Sequence, residues 1–254
     1  MTLVVDIGNS TLVSAAYQND QLISRLSLPS KKQSFLTEDW RREYITWTSD
    51  FTFSHLVISS VIPSRTERFL EFIRCLGSEP ILFQRKHYSC LPVSLVNPQQ
   101  IGTDLIANAV GAWMHARQAC IIVDFGTALS ITMVNDQAVL CGVSISPGLQ
   151  IALSGLLHNT EQLEQIPLEF PQSILGKNTI QAIQAGTIWG YEFLVEGIVS
   201  QAKKELGQHT KVFITGGLSQ LFSQKLSPEL YHNDPNLTLN GIYHIGRLIL
   251  QHDY

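Results

Sequence analysis

Two apolar runs in the chain end in the same punctuation. Leu3-Val4-Val5-Asp6-Ile7-Gly8-Asn9-Ser10-Thr11 and Ile121-Ile122-Val123-Asp124-Phe125-Gly126-Thr127-Ala128 are each a hydrophobic stretch, then Asp-x-Gly, then small polar residues. An apolar run of this length predicts a strand buried on both faces, and Asp-x-Gly at its end predicts a tight turn into a second strand. Each copy continues into a β-rich stretch (Leu12 to Tyr17; Ser130 to Val134), then Asn-Asp-Gln (residues 19–21 and 135–137), then another apolar run (Leu22 to Leu28; Ala138 to Ile145). Each half therefore opens with a strand-turn-strand-turn-strand meander.

Between the repeats, Ser30 to Asp50 is polar with Trp40, Tyr44 and Trp47 on one side of a helical spacing, which suits aromatics packed on a sheet. His55 to Ile62 reads as a strand. Pro63 follows, then Ser64 and Glu67 at capping-box spacing, and Phe69, Leu70, Ile73 and Leu76 at helical intervals. Gly77 is the expected helix stop, and Pro80 to Phe83 starts another strand. The first half thus reads as three strands plus a β-α-β unit. Leu95 to Asp104 is a loop feeding a helix whose apolar positions are Leu105, Ile106, Ala109, Val110, Trp113 and Met114.

In the second half, Ser146-Pro147-Gly148 turns into Leu149 to Leu157, and a polar, proline-punctuated loop spans His158 to Ser173. Gly176-Lys177-Asn178-Thr179 precedes a helical pattern of Ile180, Ile183, Ile188, Tyr191, Leu194, Val195 and Ile198. Gly186, Gly190 and Gly197 interrupt it, each at roughly 1 kcal/mol relative to alanine. Close packing against another backbone would offset that; a kink is the alternative. Lys211 to Gly217 is a buried strand ending in Gly-Gly, with room for a flat group such as a purine.

With 254 residues and an internal repeat, two domains are expected, 1–117 and 118–254, meeting near residues 115 to 120. The formal net charge of -4 gives no nucleic-acid surface. No run of eighteen apolar residues and no charged-then-apolar leader occurs, so neither a membrane span nor a secretory signal is expected, and the chain reads as cytoplasmic. Cys75, Cys90, Cys120 and Cys141 make no Cys-x-x-Cys pair and no zinc-like cluster with histidine, and are expected to be buried reduced thiols.

The Asp-x-Gly turns carry the candidate chemistry. Glycine lets a backbone approach a polyphosphate, consecutive N–H groups form an anion-binding concavity, and the carboxylate can hold the accompanying Mg²⁺, directly or through water. A lone copy would be an ordinary hairpin turn; two copies at the ends of buried strands favour a nucleotide gripped from both sides. Asp104, at the start of its helix, has two readings that spacing leaves open. It can cap free N–H groups, worth about 1 kcal/mol, or act as a general base toward a substrate hydroxyl in phosphoryl transfer.

Taken in order, Asp6-Ile-Gly8-Asn9-Ser10, Asn97-Pro98, Gly102-Thr-Asp104, Asp124-Phe-Gly126-Thr127-Ala128, Ser146-Pro147-Gly148, Asn178-Thr179, Ala185-Gly186, Thr215-Gly216-Gly217 and Leu237-Thr-Leu-Asn-Gly241 resemble the type III pantothenate kinases over nearly the whole chain. That resemblance implies an α/β fold of two ribonuclease H-like (actin-like ATPase) domains related by internal duplication, with the nucleotide in the cleft between them. It implies ATP-dependent phosphorylation of pantothenate to 4′-phosphopantothenate. By the same resemblance Asp6 coordinates Mg²⁺ through water, and the backbone of Asp6, Ile7, Gly8, Asn9, Ser10, Thr11, Leu12 and Val13 holds the ATP phosphates, with Thr127 a further ATP contact. Asp104 becomes the catalytic base; Gly102, Thr103, Asp104 and Leu105 form the pantothenate site, which Thr179 reaches across a homodimer interface. Asp124 binds a monovalent cation, K⁺ or NH₄⁺.

Three positions depart from the family pattern. Leu105 stands where an arginine suited to the acid's carboxylate is usual, Leu95 where a tyrosine is often found, and Thr132 where aspartate is common. Leu105 also motivates two other readings, a regulatory relative with weak catalysis and a kinase for another small alcohol.

Overall fold

Alternation inside an unbroken apolar run decides how the first strand sits. In the computed structural model, which describes residues 1–158, 166–226 and 231–252, β1 (Thr2–Ile7) is the centre of a five-stranded sheet. Leu3, Val5 and Ile7 enter one core cluster, so Val4, also fully buried, shares the opposite face with Asp6. β1 pairs antiparallel with β2 (Thr11–Gln18), which pairs antiparallel with β3 (Gln21–Pro29). On its other side β1 pairs in parallel with β4 (His55–Ser60), and β4 with the two-residue β5 (Ile81–Leu82). The expected three strands plus β-α-β are therefore present, in the order β3-β2-β1-β4-β5.

A second unit repeats this order. After the two-residue β6 (Ser94–Leu95) and helix α3 (Thr103–Ala116) come β7 (Cys120–Phe125), β8 (Ala128–Val134) and β9 (Val139–Pro147), then β10 (Lys211–Thr215) and β11 (Tyr231–Asn233). They run β9-β8-β7-β10-β11, antiparallel through the meander and parallel from β7 to β11. Ile121, Val123 and Phe125 enter the second core cluster, leaving Asp124 on the opposite face, as with Asp6. The two meander turns, alike in sequence, differ in conformation. Asn19 and Asp20 both have positive φ (51° and 64°), the two-residue turn that matches strand twist. In the other, Asn135 Oδ1 accepts from the N–H groups of Gln137 (3.0 Å) and Val139 (2.9 Å), and only Ala138 is left-handed (φ 59°).

The helices cover the sheets as their apolar stripes require. Thr37 caps α1 (Glu38–Ser49), which lays Trp40 and Tyr44, stacked at 5.3 Å, against Phe69 and Phe72 of α2 (Pro63–Cys75). The Ser64–Glu67 capping box does not form. Proline suits the first helical position because it has no N–H to satisfy there and its φ is preset, so α2 begins at Pro63, its N-cap is Ile62, and no side chain caps it. Gly77 (φ +78°) does end the helix: its N–H donates to Arg74 O at 2.9 Å and that of Ser78 to Ile73 O at 3.4 Å.

The remaining helices are α4 (Leu149–His158), α5 (Thr179–Gln184), α6 (Gly190–Leu206), α7 (Ser219–Ser223) and α8 (Leu237–His252). A single π turn, Ala185–Trp189, joins α5 to α6. The expected loop from His158 to Ser173 lies partly outside the described residues. Among the described residues, no helix is long and apolar enough to cross a membrane. Nor are the four free thiols uniformly buried: Cys120 is, whereas Cys75, the last residue of α2, and Cys141, on an outward position of β9, are exposed. Burial, with Cys141 adding to it, pushes the Cys120 thiol up to about 12.

The chain divides at His115 and Ala116, but the segment from Leu237 onward belongs to the first unit, unlike the division 1–117 and 118–254. Helix α8 explains this. Gly241 lies so close to α3 that a Cβ there would land on Ala107 O, and Gly246 meets Val57 of β4. Tyr243 stacks on Tyr17 with ring centroids 4.4 Å apart and donates to Asp20 Oδ1 at 2.8 Å, while Tyr17 donates to Asn240 Oδ1 at 2.7 Å. Overpacking of this kind costs about 1–3 kcal/mol, so Gly241→Ala should lower the midpoint of thermal unfolding by several degrees. Calorimetry on this variant beside the wild type checks it.

Candidate active site

The first Asp-x-Gly turn is built with its carbonyls tied back. Gly8 N–H closes the turn on Thr11 O at 2.9 Å. The hydroxyl of Ser30, fully buried, donates to Gly8 O at 2.6 Å, and Ser30 N–H to Ser10 O at 3.0 Å. Arg65 Nη1 donates to Asn9 O at 2.9 Å and lies 3.4 Å from Gly8 O. Three successive carbonyls are thereby engaged by donors, which removes the oxygens that would repel an anion and places a guanidinium beside the turn. The side chains of Ile7 and Leu12 are fully buried, so these two contribute backbone alone, whereas Asn9 and Thr11 are exposed.

Neither Ser30 nor Arg65 was identified from sequence. Arg65 had a readable signal. It occupies the third position of α2, where the helix dipole disfavours a cation and where no acidic residue stands, so its placement needs another reason.

The end of β4 connects this turn to the start of α3. Ser59 pairs with Asp6 across the parallel ladder, and Val61 N–H reaches Ile7 O at 3.5 Å. Ser59 donates to Thr103 Oγ1 at 3.0 Å, and the Thr103 hydroxyl donates to Ser60 O at 3.1 Å. Asp104 follows, half-buried, its carboxylate folded back over Gly102: a Cβ at Gly102 would collide with Asp104 Oδ1 and approach Val61 Cγ1 at 3.5 Å. The Gly-x-Asp spacing therefore has a steric cause. Asp104 Oδ1 accepts from Leu105 N–H at 2.8 Å, and among the described residues no salt bridge is made to it. Burial raises its pKa above the ordinary 3.8, against the lowering effect of the Leu105 and Asp104 backbone N–H groups. Both readings of Asp104 thus have a basis: it bonds a helix-start N–H, and it is a carboxylate made more basic by desolvation.

The second unit gathers Asp124, Gly126, Thr127, Gly148 and Gly216. Gly216 (φ +93°) sits where a Cβ would meet Asp124 Oδ1 and the Phe125 backbone, and Gly126 would bring one to 3.3 Å from the same oxygen. Gly148 donates to Thr127 O at 3.1 Å and likewise has no room for a side chain. Gly216 thus serves the Asp124 turn itself, while Gly217 faces open space. Thr127 is exposed. Thr132 lies deeper in β8, paired with Ile122, its buried hydroxyl without a partner among the described residues.

Thr179 lies at the exposed start of α5. Asn178 Oδ1 caps Gln181 N–H at 2.9 Å, and Gly176 folds against the Ala182 backbone. Asp6, Gly102, Thr103, Asp104 and Leu105 belong to the first unit; Asp124, Thr127 and Thr179 belong to the second.

The model of the type III pantothenate kinase family matches residues 2–201. A type III pantothenate kinase from Treponema pallidum (strain Nichols) is 43% identical over 196 residues, 76% of this chain and 71% of that one. Another, from Geotalea uraniireducens (strain Rf4), is 34% identical over 249 residues, 95% and 96% of the two chains. In fold, the chain is similar to component A of (R)-2-hydroxyglutaryl-CoA dehydratase from Acidaminococcus fermentans, with a TM-score of 0.54, 12% identity, and 98% and 96% of the chains covered. Each unit is ribonuclease H-like, in the manner of the actin-like ATPases. By the extent of the family match and the identity of these relatives, the chain belongs to the type III pantothenate kinases.

Proposed function

We propose that the chain transfers the γ-phosphoryl group of ATP to the primary hydroxyl of pantothenate in the cytoplasm, making 4′-phosphopantothenate, the first step toward coenzyme A. The observation that carries this reading is Asp104, a half-buried carboxylate whose burial raises its pKa at the start of α3. Asp104 accepts the hydroxyl proton as the alcohol oxygen bonds to the γ-phosphorus and the bond to ADP breaks. The backbone from Asp6 to Val13 holds the phosphates, Arg65 and Ser30 keep that turn in shape, and Thr127 contacts the nucleotide. Gly102, Thr103 and Leu105 surround the acceptor.

Asp6 would hold Mg²⁺ through water, and Asp124 a monovalent cation, K⁺ or NH₄⁺. The donor set fits. One or two carboxylates with waters and substrate phosphates are the usual way a protein holds Mg²⁺. Bound there, Mg²⁺ neutralises charge on the transferring phosphoryl group.

A homodimer is part of this proposal. Gly190, Phe193 and Gly197 share one face of α6; nothing among the described residues lies within 4 Å of a methyl added at either glycine, and Phe193 is 54% exposed. Ile180 and Leu175 are exposed nearby in sequence (48% and 74%). Such a face suits a second copy of the same helix, and Thr179, at the start of the preceding α5, would then reach the partner's acceptor site.

Four outcomes test these assignments. Purified protein with ATP, Mg²⁺ and K⁺ should release ADP only when pantothenate is present, with phosphopantothenate as product. Asp104→Asn should lower kcat at least 100-fold, as loss of a general base does, without lowering the thermal midpoint; retention of activity would remove Asp104 from the chemistry. A carboxyl raised by burial stabilises the fold below its unfolded pKa and loses that advantage as pH rises through the folded value, so an amide there relieves a penalty at neutral pH.

For the same reason kcat/KM should fall tenfold per unit as pH drops below the raised Asp104 value. That acid limb should lie above 3.8 and vanish from the residual activity of Asp104→Asn. Phe193→Asp should convert a dimer into monomer in light scattering and depress pantothenate turnover with it. A wild-type protein that is monomeric and fully active would end the interface assignment.

A further inference from the structure

A cavity of about 850 Å³ opens in the first unit beside the start of α3, within the usual size of small-molecule sites. Thr103 and Val61 form part of its wall, and both adjoin Asp104: Thr103 precedes it in the chain, and Val61 shares with its carboxylate the space above Gly102. Leu82 and Phe83 supply an apolar surface. Arg85 and Lys86 supply its cations, against one acidic side chain, Glu67.

The segment carrying the two cations is braced. It is a 3₁₀ turn, Arg85–Cys90, closed at its start by reciprocal bonds between Gln84 and His87, in which Gln84 N–H donates to His87 Nδ1 at 3.2 Å and His87 N–H to Gln84 O at 2.9 Å. His87 stacks on buried Phe83 at 6.4 Å, and Tyr88 tilts against the same ring at 5.6 Å. Arg85 Nη2 donates to Gln99 O at 3.3 Å, which sets the guanidinium against the loop that runs into Gly102 and Asp104. One of its five N–H donors is used there, and a planar guanidinium can meet a carboxylate with others.

Pantothenate carries its reacting hydroxyl at one end, a geminal dimethyl group beside it, and a carboxylate at the other. Leu105, the residue after the base, has no charge to offer that carboxylate. We propose that Arg85 and Lys86 are specificity-determining residues that bind the acceptor's carboxylate within this cavity, while its dimethyl end lies on the apolar wall toward Asp104. The assignment rests on the pantothenate kinase reading. Tyr88 lines the same cavity, and there burial pushes its hydroxyl up while the Arg85 charge draws it back.

The test compares two acceptors, pantothenate and an N-alkyl pantothenamide, in which an uncharged amide replaces the carboxylate. Arg85 and Lys86 are both exposed, so Arg85→Gln/Lys86→Gln should fold, and thermal unfolding checks that it does. The expected result is a fall in kcat/KM at least tenfold greater for pantothenate than for the amide, carried by KM. Lys86→Glu alone should show the same selectivity in a milder form. Equal losses with both acceptors, or none with either, would overturn the assignment while wild-type pantothenate turnover leaves the kinase reading standing. If wild type phosphorylates neither acceptor, the kinase reading falls and this assignment with it.

Discussion

Burial of both faces of β1 and β7 is the constraint on which the rest depends. Within such a strand a carboxylate would be stripped of water at a cost of several kcal/mol, so an acid can be carried only where the strand runs out. Asp6 and Asp124 stand there, on the face opposite the main clusters, each followed two residues later by the glycine that lets the chain reverse. Duplication of one strand-and-turn therefore yields two carboxylates in matching registers. Their surroundings differ: Ser30 and Arg65 brace the first turn, whereas Gly148 and Gly216 close around the second. The same scaffold thus gives its two acids different surroundings.

A second regularity concerns room for acids. Gly102 yields its side-chain space to the carboxylate of Asp104, and Gly216 yields its own to that of Asp124. In both places the glycine has no turn-making role alone; it decides where a charged oxygen rests. Asp104 then rests in partial burial beside Leu105 and Val61, which favours a basic carboxylate at the expense of local stability.

Much of this was legible because it is periodic. The twin apolar runs, the aromatic side of α1, the stop at Gly77 and the junction near His115 all follow from spacing within a few residues. What escaped depends on contacts distant in sequence. Arg65 reaches carbonyls more than fifty residues away, Gly216 answers to Asp124, and Cys75 and Cys141 are exposed through the orientation of elements that composition does not reveal. The shared Asn-Asp-Gln spelling marks a turn in both places without setting its conformation, because Asn135 bonds two N–H groups of its own loop whereas Asn19 adopts positive φ. The Ser64–Glu67 spacing failed to a stronger local signal, the proline just before it.

The packing of α8 also bears on how the chain is made. A ribosome delivers residues in order, and the surfaces of Ala107 and Val57 that receive Gly241 and Gly246 emerge long before those glycines do. The first unit must therefore wait, with part of its sheet uncovered, while all of Ala116–Asn236 is synthesised. The unit that begins earlier is completed later. During that interval the nascent chain exposes an apolar sheet face to whatever stands nearby, and the second unit is able to fold before the first has closed.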